Sequence, residues 1–168
     1  MEKRKLGTTD IEVSSICLGT MTFGTTHSEK QAFQIMDRCW EAGINILDVA
    51  EMYPFPTSAE TQGMSEVYVG NWLTARGLRG KMLVATKITG PMGKRFDYVR
   101  DGHGHYDGRQ IEAAVNNSLK RLKTDCIDLY QLHWPNRGSY MFRQNWTYDP
   151  SQHVTNSTLD HMMESLQQ

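Results

Sequence analysis

The sequence predicts an α/β fold whose strands run parallel. Short apolar runs alternate with segments whose apolar residues recur at helical spacing, and this alternation continues through most of the chain. Strict alternation of this kind places parallel strands side by side through right-handed crossovers. The length of 168 residues and the apolar fraction of 39% suit one domain of ordinary size.

The N-terminal part is predicted to form a hairpin, a strand and a helix. Residues 1–14 are interpreted as a capping hairpin, because a turn rich in Gly, Thr and Asp separates two short extended runs. The apolar run at 14–20, closed by glycine, is the first strand of the main sheet. The helix after it is predicted to begin at Ser28, because 28–31 has the S-x-x-Q pattern of a capping box. Gly43 is predicted to end it.

The rest of the chain continues the alternation. The second, third and fourth strands of the main sheet are predicted at 45–49, 82–86 and 126–132. Further helices are predicted at 63–76 and 107–122, with the opening turns of a fourth at 158–166. Two long loops are predicted, at 88–106 and 135–157.

Two architectures fit this order, an open doubly wound sheet and a (β/α)8 barrel. The doubly wound sheet is disfavoured because no strand is followed by G-x-G-x-x-G; the first is followed by GTMTFG. A barrel needs roughly 250 residues. We therefore expect residues 1–168 to be the N-terminal half of a single barrel domain, with the hairpin, strands one to four, helices one to three and the start of helix four. Its fourth strand would then be an exposed edge through which the chain could self-associate.

Charge and cysteine content exclude several classes of protein. The formal net charge of −1 gives no general attraction to nucleic acid or to anionic membranes. No apolar stretch is long enough to span a bilayer, and the N-terminus lacks a secretory signal. Cys17, Cys39 and Cys126 are far apart, which argues against disulfides and zinc and favours a reducing, cytoplasmic location. The HGH triplet at 103–105 fits no zinc pattern and is interpreted as polar loop.

Ionisable side chains stand at the predicted carboxyl ends of three successive strands. Asp48 ends the second strand and leads into Tyr53, Lys87 ends the third in VATK, and His133 follows the fourth in YQLHWP. In a barrel these ends meet at one rim, where active sites form. Each residue alone has a structural explanation, as a turn cap, a packed phenol, a solvated lysine or a buried histidine. Their joint placement favours a catalytic site.

The chemistry of such a set indicates carbonyl reduction. A nearby ammonium lowers the pKa of a phenol, which is about 10 when unperturbed, and Lys87 could act on Tyr53 in this way. Asp48 could keep Lys87 charged and in place. Tyr53 would then donate a proton to a developing alkoxide while His133 orients the carbonyl. Such a proton donor suits hydride reduction in which a cofactor supplies the hydride.

At these residues the sequence resembles the aldo-keto reductase family. The motifs are LGTMTFG (18–24), AGINILDVAEMY (42–53), VATK (84–87) and SLKRLKTDCIDLYQLHWP (118–135). A further segment, ETQGMSEVYVGNWL (60–73), resembles the bacterial Tas-type branch of the family. The resemblance runs from the hairpin to about residue 135. It implies a TIM barrel that reduces small-molecule aldehydes or ketones to alcohols and prefers NADPH, and it places the catalytic tetrad on Asp48, Tyr53, Lys87 and His133, with Tyr53 as the acid.

The resemblance also implies cofactor and substrate contacts. The loop that begins Gly19-Thr20-Met21 would touch the nicotinamide end of NADP(H) together with Asp48, and Trp134 would line the substrate pocket. In the family most of the cofactor site follows the fourth strand, as a Ser-Asn pair, a Gln, a stacking Tyr and basic residues, and this chain lacks it. The alternative is therefore a truncated, non-catalytic half-barrel that self-associates or serves as a regulatory or partner-binding subunit.

Overall fold

The structure, a computed structural model, describes residues 1–91, 97–102, 106–135 and 159–167. Of the loop predicted at 88–106 it therefore describes only parts. The loop predicted at 135–157, beyond its first residue, and the HGH triplet lie outside the described residues.

Within the described ranges, six strands form two sheets. The first two pair antiparallel as a hairpin, β1 (Lys3–Lys5) with β2 (Glu12–Ser14). The other four form a parallel sheet in chain order: β3 (Leu18–Gly19), β4 (Ile46–Asp48), β5 (Leu83–Ile88) and β6 (Leu129–Leu132). Each step from one strand to the next passes through a helix. The predicted parallel α/β order is therefore confirmed.

In the part of the chain that the structure describes, four α-helices accompany the sheet: α1 (Glu29–Glu41), α2 (Met64–Arg76), α3 (Gly108–Leu122) and α4 (Leu159–Leu166). Local sequence explains where they begin. Ser28 and Gln31 form the complete capping box of α1, and the carboxylate of Asp107 accepts a hydrogen bond from the amide of Gln110 at 2.9 Å. Among the helices in the described ranges, none combines the length and apolar character needed to cross a membrane.

The helices pack on one face of the parallel sheet, and the opposite face carries Asp48, Lys87 and Gln131 together with apolar residues such as Ile46 and Ala85. Leu47 of β4 and Val84 of β5 point to the helix side, where they join a fully buried core that includes Met36, Trp72 and Leu122. Helices α2 and α3 approach closely at Gly70, where an added Cβ would lie 2.5 Å from the carbonyl oxygen of Arg121. The glycine is therefore required by packing.

Strand register brings the carboxyl ends of the strands to a common edge. Gly19 lies opposite Asp48, Asp48 opposite Ala85, and Ala85 opposite Leu129. Because side chains alternate along a strand, Asp48 projects from the sheet face opposite Leu47, away from the helices. The edge and face that carry Asp48 are where the candidate site lies.

Candidate active site

An ion pair at the carboxyl edge links two neighbouring strands. The ammonium of Lys87, in β5, lies 2.7 Å from the carboxylate Oδ2 of Asp48, at the end of β4. It also donates a hydrogen bond to the carbonyl oxygen of Val49 at 2.8 Å. The Lys87 side chain is only 12% exposed, whereas that of Asp48 is 33% exposed. Lys87 is thus held in one place by two acceptors, while part of the carboxylate still faces outward.

Tyr53 lies directly beside this pair. The loop after β4 is closed by a hydrogen bond from the Tyr53 amide to the Ala50 carbonyl, at 3.0 Å. The Tyr53 carbonyl in turn accepts a hydrogen bond from the amide of Gly63, at 2.8 Å, just before α2. These bonds bring the phenol ring back over the edge, with its centroid 4.9 Å from the ammonium nitrogen of Lys87.

His133 completes the cluster from the last strand. Its amide donates to the carbonyl of Ile88 at 3.1 Å, which extends the pairing of β5 and β6 by one bond beyond the end of β6. Its ring lies edge-on to that of Tyr53, with 5.6 Å between centroids. The structure therefore brings Asp48, Tyr53, Lys87 and His133 together at one rim.

Burial keeps the imidazole of His133 neutral at physiological pH. Its pKa is lowered from 6.5 to about 4, chiefly by burial and secondly by the Lys87 ammonium, while Asp48 opposes the shift. A neutral imidazole has one ring nitrogen that donates and one that accepts a hydrogen bond. His133 is therefore suited to orienting a polar substrate atom, and it is a poor source of protons.

The expected lowering of the Tyr53 pKa is wrong for this structure. The pKa of Tyr53 is raised from 10 to about 12, first by burial and second by the negative charge of Asp48. The sequence argument considered the ammonium alone, but the Asp48 carboxylate lies beside that ammonium and offsets its charge at the phenol. The phenol consequently stays protonated across the physiological range, as a proton donor must before it acts.

The predicted cofactor loop lies beside Asp48. Gly19 is exposed, and no atom outside its immediate neighbours in the chain lies within 4 Å of a Cβ built on it. Thr20 is buried, and its amide and hydroxyl both donate to the Asp48 carbonyl at 3.0 Å. Met21 is exposed, and its carbonyl accepts a hydrogen bond from the amide of Phe55 at 2.7 Å. The open surface at Gly19 leaves room for a flat ring next to Asp48, so these residues fit the nicotinamide end of a cofactor.

Trp134 is buried behind the histidine. Its indole Nε1 donates to the Pro91 carbonyl at 3.0 Å, and its ring packs with Met52 and Val99. The rings of Trp134 and His133 are 5.0 Å apart, so Trp134 adjoins the site through that ring. Its role in lining a substrate pocket stays a prediction.

Two features of the site were not predicted from the sequence. Gln131 donates to the free carboxylate oxygen of Asp48 at 3.4 Å, and it lies opposite Lys87 in the β5–β6 ladder. The alternation of side chains along β6 could have revealed it. Glu51 and Arg100 form a buried ion pair just behind the loop that carries Tyr53. No local pattern reveals that pair, because its partners lie 49 residues apart.

Comparison with known proteins adds a family relationship. The chain matches the model of the Aldo/keto reductase family over residues 15–167. The protein tas of Escherichia coli (strain K12) is 42% identical to it over 167 residues, which cover 98% of this chain and 48% of tas. The uncharacterized oxidoreductase YrpG of Bacillus subtilis (strain 168) is 40% identical over 134 residues, which cover 79% of this chain and 40% of YrpG.

A solved structure matches almost the whole chain. The aldo-keto reductase AKR11C1 from Bacillus halodurans, in its holo form, superposes with a TM-score of 0.70 at 33% sequence identity. The match covers 99% of this chain and 45% of that protein. The chain thus spans about half the length of these relatives.

Proposed function

This chain belongs to the aldo/keto reductase family, and from that premise we propose that its site reduces aldehydes or ketones to alcohols with NADPH. The observation that carries the proposal is the contact between Lys87, paired with Asp48, and the ring of Tyr53, with His133 alongside. A half-buried phenol next to a fixed ammonium is an arrangement that can deliver a proton to a developing alkoxide.

In the proposed reaction NADPH, when bound, supplies the hydride to the carbonyl carbon. As the carbonyl oxygen gains negative charge, Tyr53 transfers its phenolic proton to it, which completes the alcohol. The phenolate left behind is stabilised by the ammonium of Lys87 and regains a proton from solvent. Asp48 holds Lys87 in position throughout, and it contributes no proton of its own.

His133 is proposed to fix the direction of the substrate. Its neutral ring can donate one hydrogen bond to the carbonyl oxygen, which then points toward Tyr53. Trp134, which contacts the His133 ring, is proposed to form an apolar wall beside the substrate.

NADP(H) is proposed to rest its nicotinamide end against Gly19, Thr20, Met21 and Asp48. The open surface above Gly19 supports this placement. The structure of the related AKR11C1 is a holo form, which supports the proposal that this chain takes part in binding a cofactor. The described cysteines are all free thiols, which fits the reducing, cytoplasmic compartment that we propose for the protein.

The test is Tyr53→Phe in a complete enzyme that contains this chain, with Tyr68→Phe as the matched control. Tyr68 lies on α2, half-buried against the hydrophobic core, so the control removes a hydroxyl that is not one of the four candidate site groups. We expect Tyr53→Phe to lower the rate of aldehyde-dependent NADPH oxidation by about 100-fold or more, and Tyr68→Phe to leave it nearly unchanged. Equal and measurable rates for Tyr53→Phe and the original enzyme would show that Tyr53 is not the acid.

A second candidate function is a non-catalytic half-barrel that self-associates or binds a partner. The observation in its favour is that β6, within the part of the chain that the structure describes, pairs with β5 alone. An open strand edge presents unpaired backbone groups to other chains. Sedimentation as a dimer, together with no NADPH binding in a micromolar fluorescence titration and no turnover, would favour this function over reduction.

A further inference from the structure

Glu51 occupies a central position in the loop that joins Asp48 to Tyr53. The residue is only 1% exposed. Its amide donates to the carbonyl of Lys87 at 3.1 Å, and its own carbonyl accepts a hydrogen bond from the side chain of Gln62 at 2.6 Å. Its carboxylate Oε2 accepts the amide hydrogen of Thr89 at 2.8 Å, one residue beyond the end of β5. Glu51 therefore ties the loop to the strand that carries Lys87.

Arg100 neutralises this carboxylate from the far side. Its Nε lies 2.8 Å from Oε1 of Glu51, and the two side chains are only 4% and 2% exposed. The same guanidinium donates to the side-chain oxygen of Gln110 at 2.9 Å and to the carbonyl of Thr89 at 2.6 Å. One cation thus joins the Tyr53 loop, the end of β5 and the first turn of α3.

The backbone around Arg100 is held in an unfavourable conformation. Arg100 and Asp101 have φ angles of +48° and +53°, in the left-handed region that side chains other than glycine rarely adopt. Such outliers persist where surrounding contacts determine them, and they cluster at functional sites. Here the buried ion pair supplies such a contact.

The segment anchored by Arg100 packs next to Tyr53. Val99 is buried with Met52 and Trp134, and the rings of Tyr53 and Tyr98 pack against the same cluster. Movement of this segment would open the apolar surroundings that keep the Tyr53 ring in place. An ion pair so well shielded from water is costly to break, because the remaining charge is left buried without its partner.

We propose that Glu51 and Arg100 are positioning residues that fix the ring of Tyr53 relative to Lys87. This inference rests on the proposed function in that Tyr53 is the group being positioned. Neither residue touches the reacting atoms in the proposed reaction. Both act through the backbone of the loop and through the packing of the 97–102 segment.

The chain offers a matched control in a second buried ion pair. The carboxylate of Glu66, on α2, is fully buried and pairs with Arg121 on α3 at 2.6 Å. It also accepts a hydrogen bond from the hydroxyl of Thr86 at 2.6 Å. This pair lies on the helix side of the sheet, where Arg121 packs against Gly63 at the α2 end of the Tyr53 loop, and Thr86 and Arg121 are the described hydrogen-bond partners of the Glu66 carboxylate. Glu66→Gln therefore removes a buried charge of the same kind away from the site.

The experiment compares Glu51→Gln and Arg100→Lys with Glu66→Gln in the full chain. Tyrosines are labelled with ¹³C at Cζ, and the Tyr53 signal is identified by its loss in Tyr53→Phe. In Glu51→Gln or Arg100→Lys we expect the Tyr53 pKa to fall from about 12 toward the unperturbed value near 10, because the ring gains access to water. We also expect kcat/KM for aldehyde reduction to fall about 10- to 100-fold. In Glu66→Gln the Tyr53 pKa and kcat/KM should both stay close to their original values.

Each outcome either supports or overturns the positioning role of Glu51 and Arg100. A shift of the Tyr53 titration in either site variant that is absent from Glu66→Gln supports the inference. An unchanged titration in folded site variants overturns it, as does an equal shift in Glu66→Gln. If neither site variant folds while Glu66→Gln does, the pair supports the fold as a whole and the inference is wrong. Failure of the proposed function is recognised separately, by full activity in Tyr53→Phe, and the NMR titration remains informative in that case.

Discussion

Replacing Lys87 by methionine removes the ammonium beside Tyr53 and keeps an unbranched side chain of similar size. In the structure the ammonium lies 4.9 Å from the centroid of the Tyr53 ring. With the phenolate charge placed at that centroid, Coulomb's law at an effective dielectric constant of about 20 gives a stabilisation of about 3 kcal/mol. Loss of that stabilisation slows proton donation by about 100-fold. The Asp48 carboxylate, deprived of its cation, would oppose the phenolate further. We therefore expect at least this loss in kcat.

The assay is steady-state NADPH oxidation at saturating aldehyde, with circular dichroism to verify that the variant is folded. Lys30→Met is the control, because Lys30 is an exposed lysine on α1 and remote from the site. We expect the control to retain its activity. A decrease of less than about threefold in Lys87→Met would refute the reasoning, since the ammonium would then contribute almost nothing to the transition state.

Two further predictions concern stability. Gly70→Ala should lower the free energy of unfolding in urea by about 1–3 kcal/mol, because the added Cβ would collide with the α3 backbone. Gly80→Ala is the control and should be nearly neutral, because the space around its Cβ is open. Equal effects of the two substitutions would contradict the packing argument. The pKa of His133 is lowered to about 4, so the unfolded chain binds its proton first, and stability should fall as pH drops from about 6.5 to about 4. His133→Gln should flatten that part of a pH series of urea midpoints, and an unchanged slope would show that His133 is not responsible.

The predicted family and partial barrel are confirmed, and local sequence explains much of that success. Helix starts could be predicted because a cap is formed by residues close in the chain, as Ser28 and Gln31 show. The start of the last strand was less accurate, since 126–132 was predicted and β6 begins at Leu129. Asp128 instead uses its carboxylate to accept the amide of Val84, a contact from the neighbouring strand that no local pattern contains.

The sequence predicted which residues gather at the site, but it did not predict the direction of the Tyr53 pKa shift. Residues at the ends of parallel strands must lie near one another, and the structure indeed gathers the four candidate residues at one rim. The predicted shift of the Tyr53 pKa had the wrong sign because burial is the largest cause of the shift. That burial depends on Met52, Val99 and Trp134, which pack together from separate parts of the chain. The roles of the four residues in catalysis stay predictions.

The hydrogen bonds to the main chain around Asp48 have an evolutionary consequence. Thr20 donates twice to the carbonyl oxygen of Asp48, and the Asp48 backbone is paired with strands on both sides. The backbone at Asp48 is thus held in place by main-chain hydrogen bonds that do not involve the Asp48 carboxylate. A descendant could exchange the acidic group for another and inherit the scaffold intact, so new chemistry at this rim would require few substitutions.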